Sequence, residues 1–182
     1  FGPDASPAVS PDGRRIAFTG YDDEFQGYQN ARLYVMDADG SDRRELAADL
    51  DRDLGDPVWS ADGRGLYFSY DSEGTGRLAW VDIASGRVTE LADRVGGTSL
   101  GRPYGGGSWS VARNGRFAFT QSAPARPAEV GVGDRRRPGQ VRQLTDLNAD
   151  LLAHKELGEV EEIWWESSHD GRRVQGWVVT PP

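Results

Sequence analysis

Three stretches of this chain repeat one another, and the repeat constrains the fold more than any other feature. Residues 6–19 read SPAVSPDGRRIAFT, 56–69 read DPVWSADGRGLYFS and 107–120 read GSWSVARNGRFAFT. Their Asp-Gly or Asn-Gly turns fall at Gly13, Gly63 and Gly115, spaced 50 and then 52 residues apart. The second halves repeat too: RLYVMDADGSDRREL over 32–46, RLAWVDIASGRVTEL over 77–91 and AEVGVGDRRRPGQVRQL over 128–144. A unit of about 40–50 residues holding four short strands is the mark of a β-propeller blade.

Each unit phases into four strands. In the first they are 8–10, 14–20, 32–37 and 43–46, with Ile16 and Phe18 on one face of the second strand. Leu33 and Val35 share a face of the third, and Tyr34 and Met36 take the other, as a half-buried strand requires. The reading is an all-β chain, a partial β-propeller of about three four-stranded antiparallel blades followed by a β-hairpin. Blades span about 6–47, 56–92 and 106–145 within a propeller portion 1–146. A linker, 147–159, reads LNADLLAHKELGE and predicts a short helix over 147–158 with Asn148 as N-cap. The segment 160–182 then reads as a hairpin, VEEIWWES and RRVQGWVVT around the turn His169-Asp170-Gly171.

Composition enters as exclusion. The net charge is -8, which argues against a nucleic-acid phosphate backbone as partner. With no cysteine there is neither a disulfide framework nor a thiolate metal site. No apolar run approaches the roughly 18 residues of a membrane span, so no membrane partner is expected. Cytoplasm is the expected location, with the periplasm also admitted. The first residue is Phe1 and not Met, which predicts a natural N-terminus elsewhere.

The chain resembles the prolyl oligopeptidase family of serine peptidases, most closely its acylaminoacyl-peptidase branch. The blade phrases VSPDGRRIAFTGYD, LYVMDADG and WSADGRGLYFSYD are similar to its propeller, and are shared with TolB-like propellers. More specific is QLTDLNADLLAHKELGEVEEIWWESSHDGRRVQGWVVTPP. It resembles the stretch where that family leaves the propeller for its α/β-hydrolase domain. The matching residues are Glu162, Ser167, Asp170, Gly171, Gly176, Trp177 and Pro181. The resemblance implies that 160–182 is the first hairpin of the hydrolase. The family's Ser, Asp and His would lie beyond Pro182, so no catalytic residue is assigned and the chain is expected to be inactive alone. It further implies a propeller that gates short peptides to a hydrolase active site. The alternative is a TolB-like periplasmic interaction propeller without catalysis.

Other motifs yield to simpler readings. Gly97-Thr98-Ser99-Leu100-Gly101 fits the G-x-S-x-G elbow pattern. The elbow needs a helix after its serine, and Leu-Gly-Arg-Pro-Tyr-Gly-Gly-Gly cannot form one. His154 and His169 lack metal-ligand spacing, so neither metal nor cofactor is expected. Asp37–Asp42 reads as a turn rather than a calcium loop. Asp49, Asp51 and Asp53 read as a solvated inter-blade loop, and Arg135-Arg136-Arg137 as a solvated turn. Tyr21, Arg102 and Tyr104 are the candidate substrate-gating residues, because propeller loops carry function.

Three blades make an arc with two end faces. If each leaves about 300 Å² of apolar surface in water, the loss at about 25 cal/mol/Å² is about 7 kcal/mol per end. The expected partners are therefore the remaining blades and hydrolase domain of the parent, or a second copy, and the resemblance further implies a peptide substrate in the parent enzyme.

Overall fold

The computed structural model describes residues 4–98 and 106–182. Blade 1 is β1 (Ala5–Val9), β2 (Arg15–Gly20), β3 (Arg32–Asp37) and β4 (Arg44–Leu46). Blade 2 is β5 (Leu54–Trp59), β6 (Gly65–Ser72), β7 (Thr75–Asp82) and β8 (Val88–Ala92). Blade 3 is β9 (Trp109–Val111), β10 (Arg116–Ala123), β11 (Arg126–Asp134) and β12 (Arg142–Gln143). A helical turn, α1 (Ala149–Leu152), precedes the hairpin β13 (Glu159–Glu166) and β14 (Arg173–Thr180). Each blade is one antiparallel sheet in chain order, so the all-β partial propeller read from the repeat is the observed fold.

The repeated turns have a repeated cause. In blade 1 the Ser10 hydroxyl donates to Asp12 at 2.6 Å and accepts the Arg15 N–H at 2.9 Å. Asp12 accepts the Arg14 N–H at 3.1 Å. Ser60 and Asp62 do the same in blade 2. Gly13 and Gly63 close these turns at φ +73 and +66, where a Cβ is penalised. Blade 3 has Ala112 in place of the serine, and its turn, closed by an Ala112 N–H to Arg116 carbonyl bond, is one residue shorter.

Successive residues of a strand face opposite ways, so blade 2 feeds two cores. Ala17, Leu33, Val35 and Leu46 of blade 1 meet Leu66, Phe68, Ala79 and Val81 of blade 2. Tyr67, Leu78 and Leu91, on the other side of blade 2, meet Phe117 and Phe119 of blade 3. Gly133 and Gly131 make room for those two rings, because a Cβ there would stand 2.3 and 2.9 Å from their carbons. Arginines tie the blades at the rim. Arg15 Nη2 donates to the Gly63 carbonyl at 3.2 Å and Arg44 Nη2 to the Ile83 carbonyl at 2.8 Å.

Four expectations change. The helix over 147–158 shrinks to Ala149–Leu152, which buries no residue. Asn148 occupies the N-cap position without a capping side-chain bond, because its side chain is drawn to Glu129 instead. An uncapped turn with no apolar face to bury does not propagate. Arg135 is not a solvated turn residue: it donates to Asp62 at 3.0 Å and stacks 4.8 Å from the Trp80 ring centre, bracing blade 3 on blade 2. Asp51 and Asp53 are not merely solvated, and their partners are described below. Finally, the outward face of blade 1 is not bare. Phe18 and Tyr34 stack at 5.4 Å and are both 6% exposed, with Arg43 lying 4.3 Å from the Tyr34 ring centre.

Candidate functional site at the loop end of the blades

Antiparallel order sorts the connections onto two ends of the blades. The β1–β2 and β3–β4 turns and their equivalents leave one end. The β2–β3 connections and the links between blades leave the other, called here the upper face. Blades 2 and 3 have two-residue β2–β3-type connections, Glu73-Gly74 and Pro124-Ala125. In blade 1 the same connection is the 21–31 segment, and insertions of that size in a compact blade commonly carry function.

That loop is held by the link between blades 1 and 2. Asp53 accepts from the Tyr28 hydroxyl and, at 2.7 Å, from the Ala31 N–H. Asn30 Nδ2 donates to Asp51 at 2.7 Å, and the Leu54 N–H to the Ala31 carbonyl at 2.8 Å. The bond to Asp53 raises the Tyr28 phenol above its usual range, so it stays protonated as a donor. Within the loop, Gln29 spans from the Glu24 N–H to the Asp22 carbonyl. The tip presents Phe25, 93% exposed and at φ +58, next to Tyr28, 70% exposed. Tyr21 sits half-buried at the foot of the loop. Arg102 and Tyr104 lie outside the described residues, as does Ser99 of the elbow-like pattern. The ends of their segment meet at this same face, where the Thr98 N–H donates to the Gly106 carbonyl at 3.1 Å.

Two depressions open here. One, of about 280 Å³, lies between blades and is lined by Asp53, Asp56, Ser69, Asp71, Arg77 and Gly106. Arg77 is held by both oxygens of Glu90, at 2.9 and 2.7 Å. The other, about 350 Å³, lies beneath the blade 1 loop among Asp22, Glu24, Arg32, Glu45 and Asp51. Such a face presents carboxylates, hydroxyls and exposed rings. His154 follows α1, His169 sits in the hairpin turn, and both are exposed. Asp39, of the calcium-like stretch, spends its carboxylate on the Ser41 N–H and hydroxyl of its own turn, which holds it below the usual carboxylate range.

The hairpin docks on this end of blade 2. Gln175 Nε2 donates to the Glu73 carbonyl at 3.1 Å and to Glu162 at 3.0 Å. The Trp177 ring lies against Gly74, where a Cβ would approach its carbons to 2.5 Å. Glu73 and Gly74 both have positive φ, +52 and +67, the two-residue turn that suits strand twist. Trp164 donates to Glu162 at 2.6 Å and carries Arg173 over its ring at 4.3 Å.

Residues that the sequence reading missed are Phe25, Tyr28 and, above all, Glu129. Glu129 is 1% exposed, yet it is a carboxylate. It accepts from the Thr145 hydroxyl and, at 2.8 Å, from the Leu147 N–H, which hold it below the usual range. Thr145 in turn accepts the Val130 N–H at 2.9 Å. The carboxylate thus ties the strand it belongs to, β11, to the chain leaving blade 3 for the hairpin. No composition or spacing signal marks it, because its partners lie 16 and 18 residues on, past β12.

The architecture is that of stacked propeller blades with a hairpin on their loop end. No family model matches the chain. It is 28% identical over 187 residues to the probable dipeptidyl-peptidase 5 of Arthroderma benhamiae, a match covering 99% of this chain and 24% of that protein. The chain thus spans about a quarter of the length of the curated relatives it matches. Among solved structures, acylaminoacyl peptidase of Pyrococcus horikoshii superposes with a TM-score of 0.67 at 22% identity, over 94% of this chain and 24% of that one. TolB from Acinetobacter baumannii superposes with a TM-score of 0.54 at 17% identity, over 96% and 40%. The similarity to the dipeptidyl-peptidase runs along the whole chain, and the fold is that of β-propeller blades, as in the solved peptidase and TolB structures.

Proposed function

We propose that these blades form part of the gate of a serine peptidase, whose active site is carried by a hydrolase domain elsewhere in a parent chain of the relatives' length. One observation carries the reading. The hairpin, which resembles the start of such a domain, docks on the upper face, the end that also bears the 21–31 loop and both depressions. A domain continuing from that hairpin faces Phe25, Tyr28 and the carboxylates around Asp53. The gate residues are then Tyr21, Phe25 and Tyr28, with Arg102 and Tyr104 in the neighbouring inter-blade segment. Substrates are short peptides that pass these side chains. The chemistry is acyl transfer by the parent's own Ser and His.

The test uses the parent enzyme. Phe25→Ala should raise kcat/KM for long peptides relative to dipeptide derivatives by about tenfold, or about 1.4 kcal/mol of discrimination. Unchanged length selectivity in both Phe25→Ala and Tyr28→Phe would remove this loop from the gate.

A further inference from the structure

The 21–31 segment and the link it leans on are anchored in opposite ways. No residue of 21–31 is buried. The link is fixed from beneath at both ends and in the middle. Ala47 and Leu54 are buried, and Leu50 packs on the core between blades 1 and 2. The Leu50 N–H donates to the Ala47 carbonyl at 2.9 Å, and Arg52 Nε reaches Ser72 of blade 2 at 3.2 Å. Asp51 and Asp53 are therefore held in place between Leu50 and Leu54.

The 21–31 segment is instead bonded largely to itself. The Phe25 N–H donates to Asp23 and the Glu24 N–H to Gln29, both at 2.8 Å. Gln26 Nε2 donates to Glu24 and Gln29 Nε2 to the Asp22 carbonyl, both at 2.9 Å. These bonds make 22–29 one small body. It extends beyond the Gly20–Arg32 pair, the last rung of the β2–β3 ladder, and Arg43 holds its foot at Asp22. Its far end meets the fixed link through Tyr28 and the Ala31 N–H on Asp53, and through Asn30 on Asp51. A body without apolar burial, closed by exposed hydrogen bonds, opens far more readily than the blade beneath it unfolds.

Its position gives the opening a consequence. The depression of about 350 Å³ lies beneath it, and Ala31 and Asp53 also stand in the wall of the depression of about 280 Å³. The same bond, from the Ala31 N–H to Asp53, thus closes the lid and belongs to the wall between the two spaces.

We infer that 21–31 is a lid that swings as one piece on the Gly20–Arg32 rung, and that Asp51 and Asp53 are its latch. Closed, Tyr28 and Asn30 sit on the latch and Phe25 stands over the upper face. Open, the wall at Ala31 parts, the two depressions join, and a longer peptide passes. The lid takes its task from the gate reading above, on which it rests, but its motion is a property of these blades.

Motion and task are tested separately, both in the parent enzyme. Tyr28→Phe with Asn30→Ala removes two latch bonds and leaves Asp53 to the Ala31 N–H. Hydrogen exchange at Ala31 should still quicken at least about tenfold, because the whole lid lifts more often. Glu24 and Phe25 should keep their rates, since Gln29 and Asp23 ride with them. An unchanged Ala31 rate, or equal quickening at all three amides, would overturn a latched lid that moves as one body. For the task, Asn30→Cys with Asp51→Cys places two thiols across the latch, in a stretch with no cysteine of its own. Bridging them with a short bis-methanethiosulfonate should lower kcat/KM for long peptides, relative to dipeptide derivatives, at least about tenfold. Reduction should restore it. If Phe25→Ala alters length selectivity and the bridge does not, the gate stands and the lid is wrong. If neither alters it, the gate reading itself falls and takes the lid's task with it.

Discussion

Gly74 carries two constraints at once: a left-handed backbone at φ +67 and the Trp177 ring packed where a side chain would be. Alanine there costs about 1–2 kcal/mol from the backbone alone, and it must also lift the ring. We expect Gly74→Ala to lower the denaturant midpoint and to shift tryptophan emission to the red as Trp177 moves into water. A variant with unchanged emission would mean that the hairpin is seated by Gln175 and not by the ring. Asp62 sets a pH dependence. Burial pushes its carboxyl up, but the Ser60 hydroxyl, the Arg64 N–H and the Arg135 guanidinium together bring it down, from 3.8 to about 2. A depressed folded-state value means that its contribution is complete above 3.8 and is lost as pH falls through about 2. Urea midpoints measured from about pH 5 down to about pH 2 should fall less steeply in Asp62→Asn than in wild type. Parallel slopes would remove Asp62 from the acid response. Its turn was legible, because Ser-x-Asp-Gly is a local pattern. Its bond to Arg135 was not, since that partner lies 73 residues away.

At the scale of elements, what was legible is what a short window holds. The Asp-Gly turns and alternating apolar residues located every strand, and the ends moved by a few residues. Strands β6 and β7 run on to Ser72 and Thr75 because Glu73 accepts φ +52, a conformation that nothing in the string EGT announces except its glycine. The linker failed for the same reason in reverse. Its helical pattern is local, but Asn148 and Leu147 answer to Glu129, which is remote in sequence. That carboxylate makes the junction between blade 3 and the hairpin. We expect Glu129→Ala to leave the three sheets folded while the Leu147 amide loses its protection from hydrogen exchange. Retained protection at Leu147 would show that the linker is held by Thr145 without the carboxylate. Neither of the two further residues of the proposed gate was legible. Phe25 and Tyr28 occupy a segment without periodicity, and their importance comes from an insertion that only comparison with the two-residue turns of blades 2 and 3 reveals.

Across the whole molecule, neighbouring residues of one strand belong to different cores. Leu66 is wholly buried between blades 1 and 2, while Tyr67 is packed between blades 2 and 3. Unfolding blade 2 therefore strips both neighbours of their buried faces, and stability passes along the arc from one contact to the next. Leu66→Ala removes side-chain volume from a fully buried site and should cost about 2–5 kcal/mol. If the two cores are coupled through blade 2, that loss is felt in blade 3, which Leu66 does not touch. Hydrogen exchange under increasing denaturant can separate the cases. We expect amides of β2 and β10 to open at one common midpoint in wild type, and at a common but lower one in Leu66→Ala. Phe119→Ala, in the other core, should lower both together in the same way. Should β10 keep its protection in Leu66→Ala after β2 has opened, the blades would be independent units and the coupling through β6 would be wrong.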